Sequence, residues 1–102
     1  MQLHLKKRVE IVVEAPRAPK LLEMIDEAGA KGYTVIRDVS GRGNRGVRGD
    51  GHVSDVFQNV LIIVIAAEPI ALRILERSQV LLESYAGIVT ISDVEVIRDE
   101  HF

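Results

Sequence analysis

Val60-Leu61-Ile62-Ile63-Val64-Ile65-Ala66-Ala67, followed at once by Glu68-Pro69, is the stretch on which the fold turns. Its apolar run is far short of the ~20 residues a membrane-spanning helix requires, and its β-branched residues suit a pleated strand better than a helix. Both parities are apolar, so this strand is expected to be buried on both faces. Glu68-Pro69 then opens a helix, with Ala71, Ile74, Leu75, Leu81, Leu82 and Tyr85 at helical spacing. Gly87 begins a further strand that reaches about Arg98.

Toward the N-terminus, Arg8 to Glu14 alternates, with Val9, Ile11 and Val13 on one side and Arg8, Glu10 and Glu14 on the other. Pro16 and Pro19 end that strand, and Pro19 fits the first turn of a helix, where its missing N–H is of no consequence. Leu21, Leu22, Ile25 and Ala28 follow at helical spacing, predicting a helix over Arg17 to Ala28 with Gly29 and Gly32 as stop signals. Tyr33 to about Ser40 reads as a second strand, with Tyr33, Val35 and Val39 near one parity. The order is β-α-β, a long loop, then β-α-β. Two split halves of this length predict an α+β, ferredoxin-like βαββαβ fold, an antiparallel four-stranded sheet with both helices on one face. A third strand apolar on both sides would leave one face wet, so we expect an oligomer whose sheets pack together.

Composition sets the outer bounds. A chain of 102 residues with 47% hydrophobic residues has the size and core of one domain. With only 4% aromatic residues and no Trp, that core is aliphatic. A net charge of −2 argues against a general nucleic-acid binder, and the strands lack the aromatic platforms of an RNA-binding sheet. The absence of cysteine excludes disulfides, thiolate metal sites and cysteine nucleophiles. His4, His52 and His101 lack metal-ligand spacing, and no Ser-His-acid arrangement is evident. No apolar run of signal-peptide or transmembrane length is present, so a cytoplasmic protein is expected.

Five of the eight glycines fall between Gly41 and Gly51, together with Arg42, Arg45 and Arg48. Gly41-Arg42-Gly43-Asn44-Arg45-Gly46 spells a dinucleotide-binding fingerprint, but the following Val47-Arg48-Gly49-Asp50-Gly51 cannot supply the helix that motif needs. It is not a Walker A loop either. What remains is physical: glycines let successive N–H groups converge on an anion, and arginine forks suit phosphate or carboxylate. The segment is therefore a candidate anion-binding loop.

The element order, Gly32-Tyr33-Thr34-Val35, the octet Gly41 to Arg48, and Tyr85-Ala86-Gly87-Ile88 together resemble the PII signal-transduction superfamily. The likeness is closest to its PII-like, carboxysome-associated and bicarbonate-responsive branch and covers nearly the whole chain. It implies a single PII-like domain over residues 1–102, assembled as a homotrimer with adenine nucleotides in clefts between subunits. It also implies a long T-loop, about residues 41–58, that changes conformation with ligand and reports to a partner. By that resemblance the nucleotide site comprises Thr34, Val35, Gly41, Arg42, Gly43, Arg45, Arg48, Gly87 and Ile88. Bicarbonate would be held by Gly43, Asn44, Arg45 and Arg48. No cofactor, metal or catalytic residue is implied. The ligands would be ADP, AMP or ATP, and the partner a bicarbonate transporter or carboxysome component.

Departures from the wider superfamily narrow this further. The lysine that ends the glycine-rich turn in other members is missing after Gly87, and Arg45 stands where others place the glutamine used for 2-oxoglutarate. Arg98 is followed by Asp99 and Glu100 in place of paired arginines, which favours ADP or AMP over ATP. No tyrosine lies between Gly41 and Phe57 for modification. The enzymatic alternative is an acylphosphatase-like phosphohydrolase on the same fold, with Asn44 and Arg45 as the water-positioning and phosphate-binding pair. In that family the phosphate loop joins the first strand to the first helix, whereas here it joins strands two and three.

Overall fold

The computed structural model describes residues 1–41 and 58–102. The elements run β1 (His4–Glu14), a 3-10 turn (Ala15–Arg17), α1 (Ala18–Glu27), β2 (Thr34–Val39), β3 (Asn59–Ala66), α2 (Glu68–Leu81) and β4 (Gly87–Val96). The strands form one antiparallel sheet in the order β2-β3-β1-β4, the ferredoxin-like arrangement.

Alternation in β1 and β3 builds the core. Val9, Ile11 and Val13 pair with Val64, Ile62 and Val60, and all six are buried beneath the helices. Leu21, Met24, Ile25 and Ala28 of the first helical segment and Ala71 and Ile74 of α2 close over them. Helix α1 ends as its glycine foretells. Gly29 takes a left-handed φ of 101°, the Gly29 N–H donates to the Asp26 carbonyl at 3.0 Å, and the Ala30 N–H donates to that of Ile25 at 3.3 Å. That is the paired Schellman closure, which needs a residue without a Cβ at the left-handed position. Arg73 of α2 donates to the Ala28 carbonyl at 2.5 Å, so one helix caps the other. At the opposite end the Arg17 guanidinium lies 4.4 Å over the Tyr85 ring, a cation–π contact joining the start of α1 to the turn after α2.

Three sequence expectations are adjusted. Strand β1 begins at His4 rather than Arg8. The polar residues at its start are paired: Lys7 faces the helices and meets Asp93 of β4 and, at 3.4 Å, Glu68 at the start of α2. Strand β4 stops at Val96, short of Arg98. In β2 the register slips between Ile36, opposite Leu61, and Val39, opposite Asn59, so one extra residue is inserted. Asp38 carries this bulge with a φ of 59°, and the shared parity of Val39 with Tyr33 and Val35 is lost.

The face away from the helices is mixed. Ile36, Leu61, Val12 and Ile88 form an apolar row across all four strands, while Glu10, Thr34 and Thr90 lie in the row beside it. Ile36 is 44% and Ile88 60% exposed, against complete burial of Ile62 on the other side. This is the second apolar surface foreseen from β3.

Candidate functional site

The glycine- and arginine-rich loop leaves β2 through Ser40 and Gly41 and returns through Gln58 and Asn59. Its return stem is fastened by the Ala15 N–H, which donates to the Gln58 carbonyl at 2.6 Å. Gly41 is exposed, and a Cβ there would meet nothing among the described residues. Packing against the described residues therefore does not demand glycine at this position. Arg42, Gly43, Asn44, Arg45 and Arg48, together with His52, lie outside the described residues.

Thr34 begins β2 on the open face, opposite Ile63, and lines a cavity of about 330 Å³. Lys31, Gly32, Tyr33, Ile63, Ile65, His101 and Phe102 share that lining. Aliphatic side chains from β3, two hydroxyl-bearing residues and an aromatic ring suit a flat heterocycle with a few polar atoms. Val35 points the other way. Its side chain packs on the helix-side core opposite Ile62, so only its backbone is available to the face of Thr34.

Gly87 and Ile88 stand on β4, the far edge of the sheet. Gly87 has its own structural reason to be glycine: a Cβ would lie 2.8 Å from Leu82 Cδ2, 2.9 Å from Val13 Cγ1 and 3.0 Å from the Val12 carbonyl oxygen. Three strand spacings, ~14 Å, separate β4 from β2. Within one chain, then, the Thr34 group and the Gly87–Ile88 group cannot line the same small pocket.

Electrostatics organise the segment after β4. Lys6 holds Asp99 at 2.5 Å, and the hydrogen bond from Lys6, reinforced by its charge and by those of His4 and Lys31, keeps the Asp99 carboxyl below its usual range. The acidic character expected of Asp99 is thereby offset locally. Asp93 is likewise engaged by Lys7, whose ammonium the Asp93 hydrogen bond holds above its ordinary value. Asp93 and Asp99 are thus paired charges, although both carboxylates stay exposed. Among the described residues no cluster of metal-ligating side chains occurs, and no helix is long and apolar enough to cross a membrane.

Sequence reasoning named Thr34 as a candidate and did not name Tyr33, Ile63, Ile65, His101 and Phe102, which line the same cavity. The second apolar parity of β3 was the available signal for the two isoleucines. For His101 and Phe102 there was none, because only the path of the chain after β4 brings them there.

Comparison with known proteins places these features in context. The family described as Nitrogen regulatory protein P-II matches residues 6–101. A PII-like signaling protein from Thermus thermophilus is 37% identical, with 100% of this chain and 99% of that one covered and a TM-score of 0.81. CPII, a nitrogen regulatory PII-like protein from Thiomonas intermedia, bound to ADP, AMP and bicarbonate, is 29% identical over 99% of this chain and 100% of that one, with a TM-score of 0.82. GlnK of B. subtilis in complex with ATP shares the fold, with a TM-score of 0.65 at 15% identity over 88% of this chain and 82% of that one.

Proposed function

The chain belongs to the nitrogen regulatory protein P-II family, and we propose that within it the protein is a sensor of adenine nucleotides, ADP or AMP above ATP, and of bicarbonate. Proteins of this family are regulatory, and a trimer is their norm. The observation that carries the reading is the separation of Thr34 from Gly87 and Ile88 across the sheet. A homotrimer removes that separation by setting the β4 edge of one subunit against the loop stem of the next.

In this arrangement Thr34 and the Val35 backbone meet the base and ribose, and Gly41, Arg42 and Gly43 form the base of the loop. Asn44, Arg45 and Arg48 hold phosphate or bicarbonate, while Gly87 and Ile88 of the adjoining subunit close the wall. The ligands named for CPII support the choice of ADP, AMP and bicarbonate. The domain spans residues 1–102, with a switching loop over 41–58. Ligand binding favours one loop conformation, which gains or loses the surface of a protein partner. A bicarbonate transporter or carboxysome component in inorganic-carbon acquisition fits that role, as does a cytoplasmic location. Catalysis is not part of the reading. The acylphosphatase-like alternative needs its phosphate loop between β1 and α1, where only the 3-10 turn Ala15–Arg17 is found.

Calorimetry with ADP, AMP, ATP and cyclic AMP, each with and without bicarbonate, tests this directly. Binding of ADP or AMP is expected, and Arg45→Ala and Arg48→Ala should each weaken it by ~1–3 kcal/mol, the range for a charge-assisted hydrogen bond. An absence of binding to every nucleotide overturns the reading, and steady hydrolysis of acetyl phosphate restores the enzyme.

A further inference from the structure

We infer that the segment after β4, residues 97–102, is a built-in wall of the cavity at Thr34, with the Phe102 ring stacking on the base of a bound adenine nucleotide. This rests on the nucleotide reading above and adds to it a specificity-determining residue. The chain leaves β4 at Val96, opposite His4, on the edge of the sheet farthest from β2. It then turns back across the open face. Lys6, which the register of β1 places on that face, holds Asp99 at 2.5 Å, and the Phe102 N–H donates to the Asp99 carbonyl at 3.2 Å to close a turn. That turn delivers His101 and Phe102 to Thr34, Ile63 and Ile65, two strands beyond the strand that anchors it. The two rings stand edge to face, with centroids 6.4 Å apart.

Three features point to a base rather than to phosphates. The chain has only two Tyr and two Phe, yet one of each, Tyr33 and Phe102, lines this cavity. Its floor is aliphatic, from Ile63 and Ile65. Of the segment's two acids, Asp99 and Glu100, Asp99 is turned to Lys6. The segment is a wall and not a plug, since about 330 Å³ remains open with it in place, ample for a purine.

The test is calorimetry of the full chain with adenosine, AMP and ADP. Phe102→Ala should weaken all three by a common factor of about 5- to 100-fold, the equivalent of one base–aromatic stack. Phe102→Trp should retain binding, and Asp99→Asn, which loosens the anchor, should give a smaller loss that is also independent of phosphate number. Tyr33 emission should change on binding of adenosine to the unaltered protein. Equal affinity in Phe102→Ala, tighter binding there, or a loss that grows with the number of phosphates overturns the wall while leaving the nucleotide reading intact. An unaltered protein that binds none of the three overturns both.

Discussion

The two faces of this sheet are built from the same strands to opposite ends. On one, Val9, Ile11, Val13, Val60, Ile62 and Val64 are sealed by α1 and α2. On the other, the row Ile36, Leu61, Val12, Ile88 runs beside Glu10, Thr34 and Thr90, and its two ends, Ile36 and Ile88, stand exposed among the described residues. The first face is a core that a single chain completes. The second is covered only in part by the chain itself, through the segment after β4, so stability and function divide along the plane of the sheet.

Paired substitutions on the two faces break or sharpen that division. Ile62→Ala should lower the unfolding free energy by ~2–5 kcal/mol in urea titrations, as lost transfer and a residual cavity combine. Its loss should be the same at every protein concentration. Ile36→Ala, on the open face, should instead give a loss that shrinks as the protein is diluted below its association range, because its burial comes from assembly. If both losses were independent of concentration, the division would fail.

Gly87→Ala tests the far edge. The added Cβ would press on Leu82, Val13 and the Val12 carbonyl, and overpacking of this kind should cost ~1–3 kcal/mol in the same titration. A loss confined to nucleotide affinity would instead make Gly87 a ligand contact first and a packing residue second. Gly29→Ala follows, at about 1–2 kcal/mol, since its φ of 101° is left-handed and its surroundings otherwise leave room. Thermal melts at fixed concentration would rank the two.

The smallest effect is the acid response of Asp99. Its carboxyl is held below the usual range in the folded chain, chiefly by the Lys6 hydrogen bond. The stabilisation is therefore present above the unfolded carboxylate pKa and is lost as pH falls through the depressed folded value. Proton titration followed by NMR should show the segment after β4 leaving Lys6 only in acid, with the helix-side core unmoved. Release already near neutrality would contradict the pairing.

The parts of this molecule legible in its sequence are those where a period or a turn residue states the outcome locally. The double parity of Val60 to Ala66, the helical spacing of Leu21 and Ile25, and Gly29 beyond α1 each specify an element with a physical reason attached. The start of β1 was not legible, because Lys6 and Lys7 look like solvent until their partners Asp99, Asp93 and Glu68 are placed. The bulge at Asp38 was hidden for a different reason: a polar residue in a left-handed conformation leaves the surrounding β-branched pattern unchanged. Of the site, Thr34 followed from resemblance, yet the turning of Val35 into the core follows from simple alternation and could have been stated beforehand. The cavity itself joins β2 to the segment after β4, and no local pattern records a crossing of that kind.

Asp38 has one more implication. With the extra residue, the outgoing stem runs one step out of phase with the return stem, and Val39 takes the place opposite Asn59 that Asp38 would otherwise hold. A shift of one residue exchanges the two sides of a strand. Deleting Asp38 would restore a regular ladder and leave Val39 opposite Asn59, whereas flattening the bulge with Asp38 retained would turn Val39 to the other face. A single aspartate thus sets which face of the sheet Val39 presents at the end of β2.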